Sequence, residues 1–267
     1  MRWWDGETWT AEVVDGNRRL VDPVDTALLM RLHEADGDLR ARWPWWAIAL
    51  SIGSLVVGNI ATSAIANATR AAGAAAAVAL SAGALYAGLI VVAVVVHRTS
   101  GTGSFRDAYG LGWRWSDLAI GAAASIAGRI AAILVVLPVV LANPDLGGTN
   151  VPERSVVEGR TALLVVITIV AVVVAPIVEE LFFRGVLQRT LEVSMRPWLG
   201  VAVASIAFGF AHIDVSRGWG NVSVVLATAS GGAIFGALYR VFRRLGPSMV
   251  AHALFNCVAI ALLWTVV

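Results

Sequence analysis

From residue 43 onward the chain is a succession of apolar stretches, each measured against the roughly 20 residues that carry a helix across a bilayer. They fall at about 43–66, 71–96, 118–141, 162–178 (running on through an acidic motif), 198–212, 222–238 and 247–266, the fifth being short. Of the 267 residues 58% are hydrophobic and 14% charged, whereas soluble domains are usually near half apolar and about a quarter charged. The expected fold is therefore all-α, a polytopic membrane helix bundle of seven transmembrane helices. There would be eight if the second stretch, or residues 104–117, breaks and re-enters.

Residues 1–42 differ in kind. They are polar, which argues against a secretory signal, and Asp22-Pro23 before an apolar-periodic stretch predicts a short capped helix ending near Gly37. The opening Arg2-Trp3-Trp4-Asp5-Gly6-Glu7-Thr8-Trp9-Thr10 resembles the end of a tryptophan-rich module found at the termini of actinobacterial membrane proteins. That likeness implies a bacterial plasma membrane. The expected organisation is a cytoplasmic leader at 1–42, three supporting helices at 43–141, and a functional core at 161–267.

Charge sets an expected orientation. With the leader in the cytoplasm, Arg98, Arg106, Arg114, Arg184, Arg189, Arg196, Arg240, Arg243 and Arg244 lie inside, against Arg70, Arg154, Arg160 and Arg217 outside. Nine against four follows the positive-inside rule, and seven crossings then leave the C-terminus outside. The formal charge of +2 gives no reason to expect a nucleic-acid partner. The single cysteine, Cys257, excludes an internal disulfide and is expected to be a buried thiol. Small residues such as Gly73-Ala-Ala-Ala-Ala77 and Gly121-Ala-Ala-Ala-Ser125 predict close helix approach.

Polar side chains inside these stretches are costly and need a reason. The fourth stretch closes on Glu179-Glu180-Leu-Phe-Phe-Arg184. Adjacent glutamates project about 100° apart on a helix, whereas Glu180 and Arg184 share a face at i and i+4. The economical assignment neutralises Glu180 with Arg184 and turns Glu179 to the bundle interior, where a carboxylate suits acid–base work. The bland alternative leaves both glutamates capping a helix at the headgroups. Phe208 and His212 end the fifth stretch, and His252 and Asn256 share a face of the last. Arg129, mid-span, is either a structural ion-pair partner, with Glu180 as one acceptor, or a snorkelling arginine. Asn59 and Ser125 are read as makers of interhelical hydrogen bonds, His33 and His97 as interfacial or solvated, and Asp214 as a solvated loop carboxylate.

The three patterns Glu-Glu-x-x-x-Arg (Glu179, Glu180, Arg184), Phe-x-x-x-His (Phe208, His212) and His-x-x-x-Asn (His252, Asn256) resemble the signature of the CPBP family. These are the CAAX-protease and bacteriocin-processing intramembrane proteases, which include the type II CAAX prenyl endopeptidases. The resemblance covers roughly 161–266. It implies that Glu179 and His212 position and activate a water, that His252 and Asn256 stabilise the oxyanion, and that Glu180, Arg184 and Phe208 support the site. It also implies an endopeptidase acting on a membrane-associated protein or peptide within the lipid bilayer.

Two forks remain at the level of sequence. Glu179, His212 and His252 could instead ligate zinc with one position open to water, but no His-Glu-x-x-His helix is present, and glutamate chemistry without a cofactor is favoured. The other readings are a proton-coupled membrane transporter, against which no internal repeat is found, and a catalytically inactive scaffold. One geometric difficulty stands: His212 lies fourteen residues after Trp198, roughly 21 Å along a helix, while Glu179 and His252 are expected near cytoplasmic helix ends. A fifth helix that begins beyond the membrane, or is strongly tilted, would be needed.

Overall fold

The computed structural model describes residues 43–266 apart from 70–72, 102 and 262, together with three strands of the leader. The chain divides into two compact units, Met1–Arg42 and Trp43–Val267. In the first, β1 (Arg2–Trp4), β2 (Trp9–Asp15) and β3 (Arg18–Val21) form an antiparallel meander in the order β1-β2-β3, with Glu12 opposite Val21 and Asp15 opposite Arg18. The all-α expectation did not include this sheet. Its physical basis is the aromatic and β-branched content of Trp9, Thr10, Val13 and Val14, which suits a pleated surface. The helix expected near 22–37, and His33 with it, lie outside the described residues.

The regular structure of the second unit is helical only, among its described residues. Its helices are α1 (Trp46–Ala68), α2 (Ala74–Ser100), the short α3 (Phe105–Tyr109), α4 (Ser116–Ala142), the short α5 (Arg154–Val157), α6 (Thr161–Ser194), α7 (Pro197–Phe210), α8 (Asn221–Phe242) and α9 (Gly246–Ala261). Five of the described helices, α1, α2, α4, α6 and α8 (the last with its leading turn from Val215), are long and apolar enough to cross a membrane, whereas α7 and α9 are shorter. Helix α6 is the hub, packing against α1 and α2 on one side and α7 and α9 on the other. Helix α4 packs along α8 and α9.

The acidic motif does not close α6, contrary to expectation; the helix runs on to Ser194, 34 residues in all. Beyond Glu180 it is covered by neighbouring helices, so that every side chain from Leu181 to Gln188 is buried. The apolarity that marks a lipid-facing span ends before the helix does. Two π-helical stretches, Val170–Val174 and Leu181–Gln188, widen it on either side of the glutamates.

Local chemistry sets the turns. The Ser104 hydroxyl accepts the Asp107 N–H at the start of α3, and Gly110 ends that helix in the left-handed region at φ 65°. A Cβ on Gly110 would stand 2.6 Å from the Arg243 carbonyl oxygen, so glycine is required there. Pro197 opens α7, where a missing N–H costs nothing. Ionic clamps tie the helix ends together. Buried Asp117 at the start of α4 pairs with Arg244, and Glu192 on α6 takes Arg240 and Arg243 at 3.1 and 3.0 Å as well as Gln188.

Some expectations need correction. Cys257 is exposed, on an outward face of α9 that it shares with exposed Leu254 and Val258. Asn59 donates to the Leu55 carbonyl of its own helix instead of crossing to another. His97 packs edge-on against Phe105 and tilted against Tyr109, with its Nδ1 buried.

The α6–α7 hairpin depends on a close backbone approach at Gly200, where a Cβ would fall 2.8 Å from the Glu192 backbone nitrogen. Gly200→Ala is expected to force the helices apart, at about 1–3 kcal/mol as for other overpacked sites. Thermal unfolding of the purified variant in detergent, compared with wild type, measures this.

Candidate active site

Helices α6 and α7 run antiparallel from a two-residue turn. Gly200 meets Glu192, and the rings of Phe183 and Phe208 meet at 5.0 Å, so the paired numbers sum to nearly the same value throughout. Continued past the end of α7 at Phe210, the same register brings Glu179 level with His212, each fifteen residues from its end of the turn, or about 22 Å along an ideal helix. The depth difficulty raised by the sequence disappears. Glu179 is far from the end of its helix because α6 extends well beyond it.

The glutamates divide as their 100° separation requires. Glu180 is fully buried and pairs with Arg184 Nε at 3.2 Å, both side chains being 0% exposed. Its other oxygen lies 3.1 Å from His252 Nδ1. A carboxylate facing a guanidinium is an acceptor, so Nδ1 carries the hydrogen and His252 presents Nε2 to the interior. Glu179 turns the other way around α6. Its Oε1 accepts from the Tyr86 hydroxyl at 3.0 Å, and its Oε2 is buried without a hydrogen-bond partner among the described residues, 3.9 Å from His252 Nε2.

His212 is tethered through Nδ1 to the Phe208 carbonyl at 2.8 Å. A carbonyl only accepts, so Nδ1 is the protonated nitrogen and Nε2 is left as the acceptor of the ring. The spacing of four in Phe-x-x-x-His thus has a direct cause, and the phenylalanine ring a second one. Phe208 stands edge-on to His212 at 4.7 Å and to His252 at 5.5 Å, and takes the Arg184 guanidinium over its face at 5.1 Å. Phe235 stacks on the far side of His252 at 5.2 Å.

Asn256 donates through Nδ2 to the Ala171 carbonyl at 2.8 Å. That carbonyl has lost both helical donors. In the π-helical stretch the Ala175 N–H goes to Val170, and the next residue, Pro176, has no N–H. One amide hydrogen of Asn256 is committed to this repair and the other is not. A cavity of ≈ 20 Å³, lined by Phe208, His212, Phe235, His252 and Asn256 among others, joins these groups. That is room for one water, which needs at least about 10–15 Å³. Glu179 does not line the cavity; its Oε2 lies on the Nε2 side of His252, at 3.9 Å.

Other candidates go elsewhere. Arg129 does not reach Glu180, whose oxygens are already taken; it donates to the Phe255 carbonyl and lies 4.6 Å over the Phe255 ring. Asp214 is exposed and turned into its own loop. The hydroxyl of Ser216, then its backbone N–H, holds that carboxyl below the ordinary range. Arg217 instead braces His212, donating to its carbonyl at 3.1 Å. Tyr86 was missed in the sequence. The signal was there: it sits mid-way along α2, away from the helix ends where membrane tyrosines usually lie. No group of three His, Cys, Asp or Glu side chains converges as metal ligands among the described residues.

Carboxylates, imidazoles and an amide thus gather among apolar helices. Residues 161–258 match the model of a known family, described as type II CAAX prenyl endopeptidase Rce1-like. No curated protein and no solved structure matches the chain. With its apolar helices, the chain is an integral membrane protein of protease type.

Because Arg184 is the counter-ion of a carboxylate sealed from solvent, Arg184→Met is expected to be severe. Breaking a buried pair by removing one partner costs about 3–5 kcal/mol. Thermal unfolding should show this loss, and Glu180→Gln combined with Arg184→Met should recover part of it.

Proposed function

We propose that this chain is an intramembrane endopeptidase that hydrolyses a peptide bond in a membrane-associated protein or peptide. The observation that carries the proposal is the unpartnered Glu179 Oε2, 3.9 Å from His252 Nε2, beside a water-sized cavity lined by His212, His252 and Asn256. In the proposed reaction Glu179 accepts a proton from a water oriented by His212 Nε2, and the water oxygen bonds to the scissile carbonyl carbon. The second amide hydrogen of Asn256, together with His252, receives the oxyanion. Collapse breaks the C–N bond, and the proton held by Glu179 passes to the leaving nitrogen. Donors aimed at the developing charge and a placed base are what this chemistry asks for.

We favour glutamate chemistry over zinc because the chain has no His-Glu-x-x-His helix and Glu179, His212 and His252 do not converge as a ligand set among the described residues. The apolar part of a substrate has a path to the site. A groove of ≈ 1050 Å³ runs between α1 and the end of α7, lined by Ile52, Val56, Ile60, Phe210, Ala211 and Ile213 on either side of His212. We count seven crossings, the five long helices plus α7 and α9, with the leader in the cytoplasm of a bacterial cell and the C-terminus outside. The arginine distribution supports that orientation.

Purified wild type should cleave a fluorogenic membrane peptide. Glu179→Ala and His212→Ala should each lower kcat by about 10²–10⁴, the range for loss of a placed acid–base group. A chelator should leave the rate unchanged. Equal cleavage by all three proteins, or none by any while a pH gradient drives substrate flux, would overturn the proposal.

A further inference from the structure

The matched segment runs from the start of α6 into α9, yet one contact to the Glu179 carboxylate comes from outside it. Helix α2 turns a stripe of buried side chains, Tyr86, Leu89, Val92, Ala93 and Val96, in steps of three and four. It packs on α6 across the two stretches that carry and follow the glutamates. Tyr86 brings a polar head to this surface and is itself only 9% exposed. Its hydroxyl donates to Glu179 Oε1 at 3.0 Å. A phenol remains a donor at any working pH near neutral.

From this geometry we infer that Tyr86 is a positioning residue for the Glu179 carboxylate, holding Oε1 so that Oε2 is directed to His252 Nε2. The inference deepens the endopeptidase reading and rests on it. The terminal torsion of a glutamate is broad and roughly two-fold, so packing of the aliphatic stem alone does not orient the oxygens. Glu180 cannot help, because Arg184 and His252 occupy its two oxygens. Tyr86 supplies the missing constraint from a different helix, which makes the orientation of the base depend on the docking of α2 against α6. The opposite oxygen, Oε2, has no partner among the described residues. One oxygen is held and the other is open.

The test uses the full chain in detergent with the fluorogenic membrane peptide, measuring kcat, KM and the thermal unfolding midpoint for wild type, Tyr86→Phe and Glu179→Ala. Tyr86→Phe keeps the ring and removes only the donor. It is expected to lower kcat by about 10–100-fold, since a misplacement of about 1 Å can cost about 100-fold, with KM within about twofold and the protein still fully folded at the assay temperature. A Tyr86→Phe protein that cleaves at the wild-type kcat, while Glu179→Ala is inactive, overturns the positioning role and leaves the endopeptidase reading intact. So does a loss that appears in KM or follows the unfolding midpoint. A Glu179→Ala protein that cleaves normally, or a wild type that does not cleave, overturns both.

Discussion

The ion pair between Glu180 and Arg184 is the constraint from which the rest of the core follows. Two carboxylates side by side in an apolar bundle are costly unless charge is balanced locally. Arg184 supplies that balance one turn away on the same helix, with no exposure for either partner. The pair then fixes His252, because Glu180 has a second oxygen and the imidazole Nδ1 reaches it. With His252 fixed, its Nε2 faces Glu179, and the second carboxylate stands near an imidazole without being tied to it. Phe208 completes the arrangement by presenting its face to the guanidinium and its surroundings to both histidines. Remove the pair and there is no reason for α9 to seat its histidine at that depth.

How much of this was legible before the structure depends on which residues are asked about. The i, i+4 spacing of Glu180 and Arg184 is a property of any helix, and the structure pairs them across it. The spacing of Phe208 and His212 was also visible, but its cause was not: a tether from Nδ1 to the carbonyl one turn back is a statement about ring orientation. Apolar patterning located α6 and misjudged its end. A span is recognised by its contact with lipid, and residues 181–188 are covered by protein. Arg129 shows the converse. Its charge marked it as an ion-pair partner, yet a backbone carbonyl and an aromatic ring satisfy it. Tyr86 was hidden because a tyrosine in a membrane helix is ordinarily read as an interfacial anchor.

The long α6 and the short α7 make sense together. A helix of 34 residues overshoots a bilayer core by roughly 14, given the 20 or so needed to cross it. The overshoot lets α7 start well beyond Glu179 and return to it after an equal number of residues. A site drawn from two consecutive helices needs such matched arms, since each residue moves a side chain about 1.5 Å along the axis. Gly200 permits the arms to touch at their base, and the paired rings of Phe183 and Phe208 continue the contact toward the site. Glu192, clamped by Arg240 and Arg243, holds the protruding end of the hairpin to α8.

Asn256 illustrates why a structural role and a proposed chemical one need not compete. The π-helical turn before Pro176 leaves the Ala171 carbonyl without a backbone donor inside an apolar bundle, where an unpaired polar group is costly. Asn256 satisfies it with one amide hydrogen. A serine or threonine at this position would have a single hydrogen and could do only this. Asparagine has two on one planar nitrogen, so the bond to Ala171 also fixes the direction in which the second points. The widened turn and the proline thus orient the amide that lines the cavity, in the same way that Glu180 orients His252 and the Phe208 carbonyl orients His212. Each polar group at the cavity is held through one of its two polar atoms or hydrogens and presents the other.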